Sequence, residues 1–348
     1  MNISHKSLYE FGMSFLAPIL NHYTRQIVKN SKNKIPVCLA REGWVLHLLL
    51  TRLQDKNLIK LDFPPIYLRV SRTLLFRSQL GNADAWDITL KNRFKGSVLQ
   101  LLMKRFGIQF HEAYALLPST LLDFELSLPE DLEKVKQWLA PHEERLAEFA
   151  HPTKMGLLAY LDQAGVSGSG PESLMLDIGY AGTIQKMLTG LINKNTNGLY
   201  FIANDASGAK VGKNLARMKG VFREDINWQA GYLMLERSLL LECIMTAPHG
   251  QVVDIRLQSN GQLDFFYGRL AAPQRHFQDL DVVFQGAVDG VEAGFKSGIE
   301  YSIEEIEEIF SAFACSPSAI PKAVQHLFSI DDEFSGNGIL NATAVFGL

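Results

Sequence analysis

Charged residues in this chain collect where apolar runs stop. Arg41-Glu42-Gly43 follows Ile35–Ala40, Ser71-Arg72 follows Ile66–Val70, and Asp177-Ile178-Gly179 closes Leu174–Ile178. Arginine suits a diphosphate because its planar fork meets two oxygens at once. An acid beside it can hold a divalent cation or accept a proton. The third stretch continues through Tyr180-Ala181-Gly182-Thr183 into Ile184-Gln185-Lys186-Met187-Leu188. Strand, glycine turn, hydroxyl and helix start, in that order, make an anion seat. The first amides of a helix lack partners and carry the positive end of its dipole, and glycine lets backbone approach a phosphate. Glu242 joins the set because it interrupts the apolar run Leu233–Met245, and a buried unpaired acid is costly. Arg69, Arg77 and His249 complete it.

The elements that must position these groups follow from periodicity. Leu8–Asn30 has helical spacing, with Pro18 expected to kink or divide it. Ile35–Ala40, Ile66–Val70, Leu174–Ile178 and Gly198–Ala203 read as strands, and a helix begins at Val45. Ile88–Phe106, Asp131–Phe149 and Lys154–Ala164 read as helices of an insertion at about 85–165, reached from the central strand by the flexible loop 165–171. Leu233–Met245 reads as one helix. Val252–Leu257 and Leu263–Tyr267 alternate around Asn260-Gly261, a hairpin signal. From about residue 273 the pattern is helical again, with a polar tail at Ser329–Gly338. The expected fold is α/β: a Rossmann-like, mostly parallel sheet flanked by helices, forming a single catalytic domain over residues 1–348. In such sheets ligands gather beyond the carboxyl ends of the strands.

Composition excludes some classes. Of 348 residues, 34 are Lys or Arg and 37 Asp or Glu, a net charge of −3 that gives no basic field for nucleic acid. The three cysteines, Cys38, Cys243 and Cys315, have no metal spacing, which points to a reducing compartment. No run approaches the ~18 apolar residues of a membrane span. The charged amino-terminal stretch MNISHKSLYEFG lacks a signal-peptide core. The expected location is cytoplasmic, with peripheral attachment at the inner membrane as a variant.

Several motif imitations fail. Gly208–Asn214 is one residue short of a Walker A loop and ends in Asn where Ser or Thr should hold magnesium. Asp279-Leu280-Asp281 lacks the buried strand of a haloacid-dehalogenase nucleophile, and its helical surroundings weaken a metal-binding DxD reading. Gly168-Ser169-Gly170 precedes its strand, the wrong side for a dinucleotide loop. The nine histidines show no HExxH or similar spacing.

Phe11–Pro18, Leu39–Trp44, Leu68–Arg72, Leu176–Gln185, and Leu241-Glu242 with Ala247–Gly250 together resemble the glycan phosphoribosyltransferase module of bacterial polysaccharide ribofuranosyltransferases. That module is often fused to a haloacid-dehalogenase-type phosphatase. The resemblance spans roughly Leu8–Gly338 and is most specific around residues 41 and 177. It implies phosphoribosyl pyrophosphate as donor and a hydroxyl of an O-antigen or capsule glycan as acceptor, possibly lipid-linked. The product is a 5-phosphoribosylated glycan, inverted to the β-ribofuranosyl form. Glu42 stands where many members have Asp, and no phosphatase module is present, so a separate phosphatase would remove the phosphate. Ordinary nucleotide-type phosphoribosyltransferases carry two adjacent acids before a Thr-rich loop, whereas Asp177 stands alone.

The resemblance implies Asp177, Glu42 and Glu242 as catalytic candidates, without choosing the base among them. Glu42 and Asp177 are the expected ligands of Mg2+. Arg41, Gly43, Arg69, Ser71, Arg72, Gly179, Tyr180, Gly182, Thr183, Gln185 and His249 are the expected substrate contacts. Two other readings stay open: a non-catalytic glycan- or phosphate-binding partner of a polysaccharide assembly complex, and a transferase using another activated sugar.

Overall fold

The chain is described by a computed structural model that covers residues 3–168, 170–316 and 318–348. Ser169, in the glycine-rich loop of residues 165–171, and the first two residues of the charged amino-terminal stretch lie outside the described residues. The strands in chain order are β1 (Lys34–Leu39), β2 (Ile66–Leu68), β3 (Phe94–Ser97), β4 (Glu125–Leu128), β5 (Glu172–Asp177), β6 (Thr196–Ala203), β7 (Ala209–Val211), β8 (Asn214–Glu224), β9 (Val252–Leu257), β10 (Leu263–Tyr267), β11 (Ser329–Asp331) and β12 (Ile339–Asn341). Six form one sheet in the order β2-β1-β5-β6-β8-β7. The first five in that order run parallel, and β7 edges β8 antiparallel. The α/β class expected from the sequence is the one observed.

Side-chain alternation explains why the sheet is covered on both faces. Ile35, Val37 and Leu39 of β1 and Met175 of β5 enter one apolar layer. Cys38, Leu174 and Leu176 enter the other. The first layer holds the helices Arg72–Ser78, Val98–Phe106, Glu143–Gln163 and Thr183–Ile192. The second holds Ile3–Phe11, Ala17–Asn30, Gly43–Asp55, Phe277–Ser297 and Ile303–Ala314.

Chain order sets where a ligand can enter. From β1 the chain steps outward to β2, then crosses back to β5 on the other side of β1 and continues to β6. The order therefore reverses between β1 and β5, the place where open α/β sheets commonly take a ligand. Gly43 sits just past the carboxyl end of β1. A Cβ there would lie 2.6 Å from the carbonyl carbon of Cys38. The helix Gly43–Asp55 thus starts pressed against the strand it has just left.

Some expected elements differ. The amino-terminal helix is divided by a π-helical turn, Gly12–Leu16, just ahead of Pro18 rather than at it. Ile88–Phe106 is not one helix. It contains Ala83–Thr89, then β3, then Val98–Phe106, because Phe94–Ser97 pairs with β4 and Gly96 has φ 153. The segments read as Asp131–Phe149 and Lys154–Ala164 regroup as Leu132–Leu139 and a long helix, Glu143–Gln163, that accommodates Pro152. Leu233–Met245 divides into Leu233–Glu236 and Leu239–Ile244. β8 runs for 11 residues where only Lys219–Phe222 suggests a strand. The hairpin of β9 and β10 forms as expected.

Gly43→Ala is expected to destabilise the protein by roughly 1–3 kcal/mol, the usual range for overpacking a tight contact. Urea unfolding should show a lower midpoint at unchanged slope. A midpoint equal to that of the parent protein would show that the helix can move off β1 without cost.

Candidate active site

β1 and β5 bring two acids to the reversal point. Glu42 begins the helix after β1, and its Oε2 accepts the amide of Arg41 at 3.0 Å. Asp177 ends β5, and its Oδ1 accepts the amide of Gly179 at 2.9 Å. Both acids are half-buried, as is Glu242 on the short helix Leu239–Ile244.

Their electrostatics tie them together. Burial pushes the Asp177 carboxyl up to about 6; the Gly179 amide opposes the rise, Glu42 adds to it, and Arg72 opposes it. Burial pushes Glu242 up to about 7; Glu42 and Asp177 add to this, and Arg72 and Arg41 oppose it. Tyr180, half-buried beside them, is raised by burial and then by Glu242. Arg41, Glu42, Arg72, Asp177, Tyr180 and Glu242 therefore share one field.

Arg72 starts the helix Arg72–Ser78 and is exposed. Its guanidinium lies 4.0 Å over the ring of Phe334, a cation–π contact that aims it. Arg105 approaches the same ring at 5.5 Å. Burial lowers Arg105 to about 10, and the charge of Arg72 adds to that fall.

A second wall stands next to the acids. The Arg69 guanidinium lies 3.7 Å over Phe265 and donates to Tyr267 Oη at 3.0 Å. His249 Nδ1 is 2.8 Å from the Gly250 carbonyl, so that nitrogen carries the proton. Nε2 then accepts from Tyr67 Oη at 2.9 Å. Burial lowers the His249 pKa; the Gly250 bond opposes this, and Arg69 and Arg41 add to it. Both ring nitrogens are engaged within the protein, so His249 orients Tyr67.

The turn after β5 has the local form expected. The helix Thr183–Ile192 starts after Gly182, which sits at φ 61, and no side chain among the described residues caps it. Gly179, Tyr180 and Thr183 are half-buried around the turn. Lys186 folds back from the first turns, its Nζ donating to the Ala181 carbonyl at 2.8 Å. Burial lowers its pKa, and Lys91 lowers it further. These two lysines escape a sequence reading, because Lys186 looks like the polar side of an amphipathic helix and Lys91 belongs to a distant segment.

Three expected contacts, and Arg77 of the wider charged set, have internal duties instead. The Ser71 hydroxyl donates to the Val252 carbonyl at 2.5 Å and accepts the Leu74 amide at 3.0 Å, capping its helix. Gln185 is fully buried; it donates to Thr196 Oγ1 at 3.0 Å and the Arg217 carbonyl at 2.9 Å, and it accepts Tyr200 Oη at 2.8 Å. Gly43 is held by packing, as described above. Arg77 is buried and donates to the Gly107 carbonyl at 2.9 Å and to Glu112 at 3.2 Å. The Ser71–Val252, Gln185–Arg217 and Arg77–Gly107 partners lie far apart along the chain, so only the folded structure reveals these roles.

A cavity of about 190 Å³ is displaced from the acids. It opens beside the Arg72 helix, with Thr73, Gln109, Tyr267, Arg269, Asp331 and Glu333 in its walls. Glu42, Asp177 and Glu242 do not close into a three-ligand cage. Among the described residues only His276, Asp279 and His326 bring three such ligand atoms within 4.8 Å of one another. No helix among the described residues is long and apolar enough to cross a membrane. No protein-family model matches the chain, and no curated protein matches it significantly.

A raised carboxyl pKa stabilises the native state while the group is protonated. That contribution is complete below ordinary carboxylate values, near 4, and is lost as pH rises through about 6 for Asp177 and about 7 for Glu242. Glu242→Gln should therefore stabilise the protein at pH 8, by about 1–3 kcal/mol, and give no gain at pH 4. Thermal unfolding at both pH values checks this. An equal gain at both would show that the acid is not confined as described.

Proposed function

We propose that the protein is a glycan phosphoribosyltransferase. It transfers 5-phosphoribosyl from phosphoribosyl pyrophosphate to a hydroxyl of a bacterial surface-polysaccharide acceptor. The reading rests on one observation above all: Arg41, Glu42, Arg72, Asp177 and Glu242 meet in one electrostatic field where the sheet order reverses. The uncapped helix start at Gly182–Thr183 lies on the loop that leads away from Asp177.

Each group then has a task. Arg41 and Arg72 bind the pyrophosphate and stabilise the charge that grows on it as the bond from C1 to oxygen breaks. The turn Gly179–Thr183 receives the 5-phosphate through helix amides, with Lys186 adding positive charge nearby. The acceptor oxygen attacks C1 from the face opposite the leaving group, which inverts the configuration. Its proton passes to the Glu242 carboxylate, whose pKa of about 7 suits a base working near neutrality.

Magnesium fits this donor set. It usually takes one or two protein carboxylates and completes its shell with substrate oxygens and water. Glu42 and Asp177 would hold it, and their mutual repulsion is a cost that a cation removes. When bound it neutralises charge on the pyrophosphate. A separate phosphatase would act on the product.

The direct assay is pyrophosphate release on mixing protein, donor, magnesium and oligosaccharides derived from bacterial surface polysaccharides. Glu242→Gln should lower kcat by roughly 10²–10⁴-fold, the range for a lost general base, and leave donor affinity close to the parent value. The rate of the parent protein should rise with pH through about 7. An unchanged profile in the variant removes Glu242 as the base. Thr183→Glu should abolish donor binding by calorimetry, since it places a negative charge at the helix start; undiminished affinity would sink the phosphate seat. Turnover with a sugar nucleotide, and none with phosphoribosyl pyrophosphate, would overturn the donor assignment.

A further inference from the structure

A second group of ligating side chains lies on the helical layer, outside the site described above. His276 immediately precedes the helix Phe277–Ser297, and Asp279 lies in its first turn. His326 comes from a 3-10 turn, Gln325–Leu327, far along the chain. Their ligand atoms all lie within 4.8 Å of one another. His326 Nε2 is 3.0 Å from Asp279 Oδ2. The two imidazole rings meet edge to face, at 5.3 Å between centroids and 90° between planes. We infer that His276, Asp279 and His326 form a binding site for a divalent transition-metal ion of the zinc type.

Donor chemistry sets the class of ion. Two imidazoles and one carboxylate suit zinc, cobalt or nickel, whereas magnesium and calcium prefer all-oxygen shells. Bond lengths of about 2.0–2.2 Å place tetrahedral donors roughly 3.3 Å apart. One pair, at 3.0 Å, is already at that spacing. The others reach it through modest rotation of the His276 side chain, which is exposed. Three protein ligands leave a fourth position for water. In sequence the site is concealed, since the second histidine has no fixed spacing to the first.

The site would act as a clasp. It joins the start of the long helix to the segment that continues into β11 and then into Phe334, the ring under Arg72. An ion that binds only the folded chain raises its stability by mass action.

The test uses the full chain, stripped of metal by a chelator and then titrated with zinc in a calorimeter. One ion per chain is expected. His276→Ala and His326→Ala should each weaken it by at least about tenfold, in line with losses at metal sites. Cobalt should give the visible absorption of a four-coordinate ion in the parent protein, with no such band in the double variant, and magnesium in excess should not compete. All three side chains are at least partly solvent-exposed, and circular dichroism of the variants confirms folding. Failure to bind zinc, equal affinity in the double variant, or an octahedral cobalt spectrum would each overturn the proposal.

Discussion

Confinement of like charge governs this structure. Asp177 and Glu242 stand where burial penalises their ionised forms; Glu42 raises the pKa of both, and Asp177 adds to the rise of Glu242. A protein selected only for stability would replace them, since buried acids without full compensation cost several kcal/mol. Arg41 and Arg72 offset part of the strain without forming close ion pairs with the acids among the described residues. Arg72 instead leans on Phe334. Charges held near one another but left unpaired are what a charged ligand would complete.

The scaffold keeps that arrangement in place by spending other polar groups on itself. Ser71 ties the start of the Arg72 helix to the Val252 carbonyl, so the arginine is presented from a fixed point. Gln185 locks the helix Thr183–Ile192 to Thr196 and to the Arg217 carbonyl. Gly43 lets the Glu42 helix begin against its own strand. His249 holds Tyr67, and Tyr67 is close enough to Glu42 and Arg41 for each to perturb its ionisation. Preorganisation is therefore distributed over three helices and the β9–β10 hairpin.

The sequence displays the main features of this plan, but unevenly. Strands buried on both faces appear as continuous apolar runs, so β1, β5 and β6, and the charged residues at their ends, are legible. β8 is harder to see because Arg217, Lys219 and Arg223 interrupt its apolar positions near the sheet edge. Residue type pointed to Ser71, and the family resemblance to Gln185 and Gly43, yet neither can distinguish a ligand contact from a structural bond formed only in the folded chain. Phe334, Tyr267 and Lys186 have no motif at all. Phe334 sits in a tail that reads as polar, and its value comes only from the ring meeting Arg72 in space.

Shape adds a constraint on any acceptor. Glu42 and Asp177 lie at the carboxyl rim of the sheet, while a cavity of about 190 Å³ lies to one side, with Tyr267 and Thr73, the neighbour of Arg72, in its wall. An enclosed pocket would admit only a free small molecule. A rim flanked by Arg69, Phe265 and Tyr267 can be reached by the end of a long chain whose remainder stays in solvent. Under the proposed reaction, the donor carries nearly all the charge and belongs at the arginines and the helix start. The acceptor is neutral around its reacting hydroxyl and belongs on the aromatic side, where ring faces pack against sugar C–H groups. Arg41 and Glu42 lie between the two walls and act on both, since they perturb Glu242 on one side and Tyr67 on the other. Under that reading the reacting atoms meet at the carboxyl end of β1, where Arg41 and Glu42 lie.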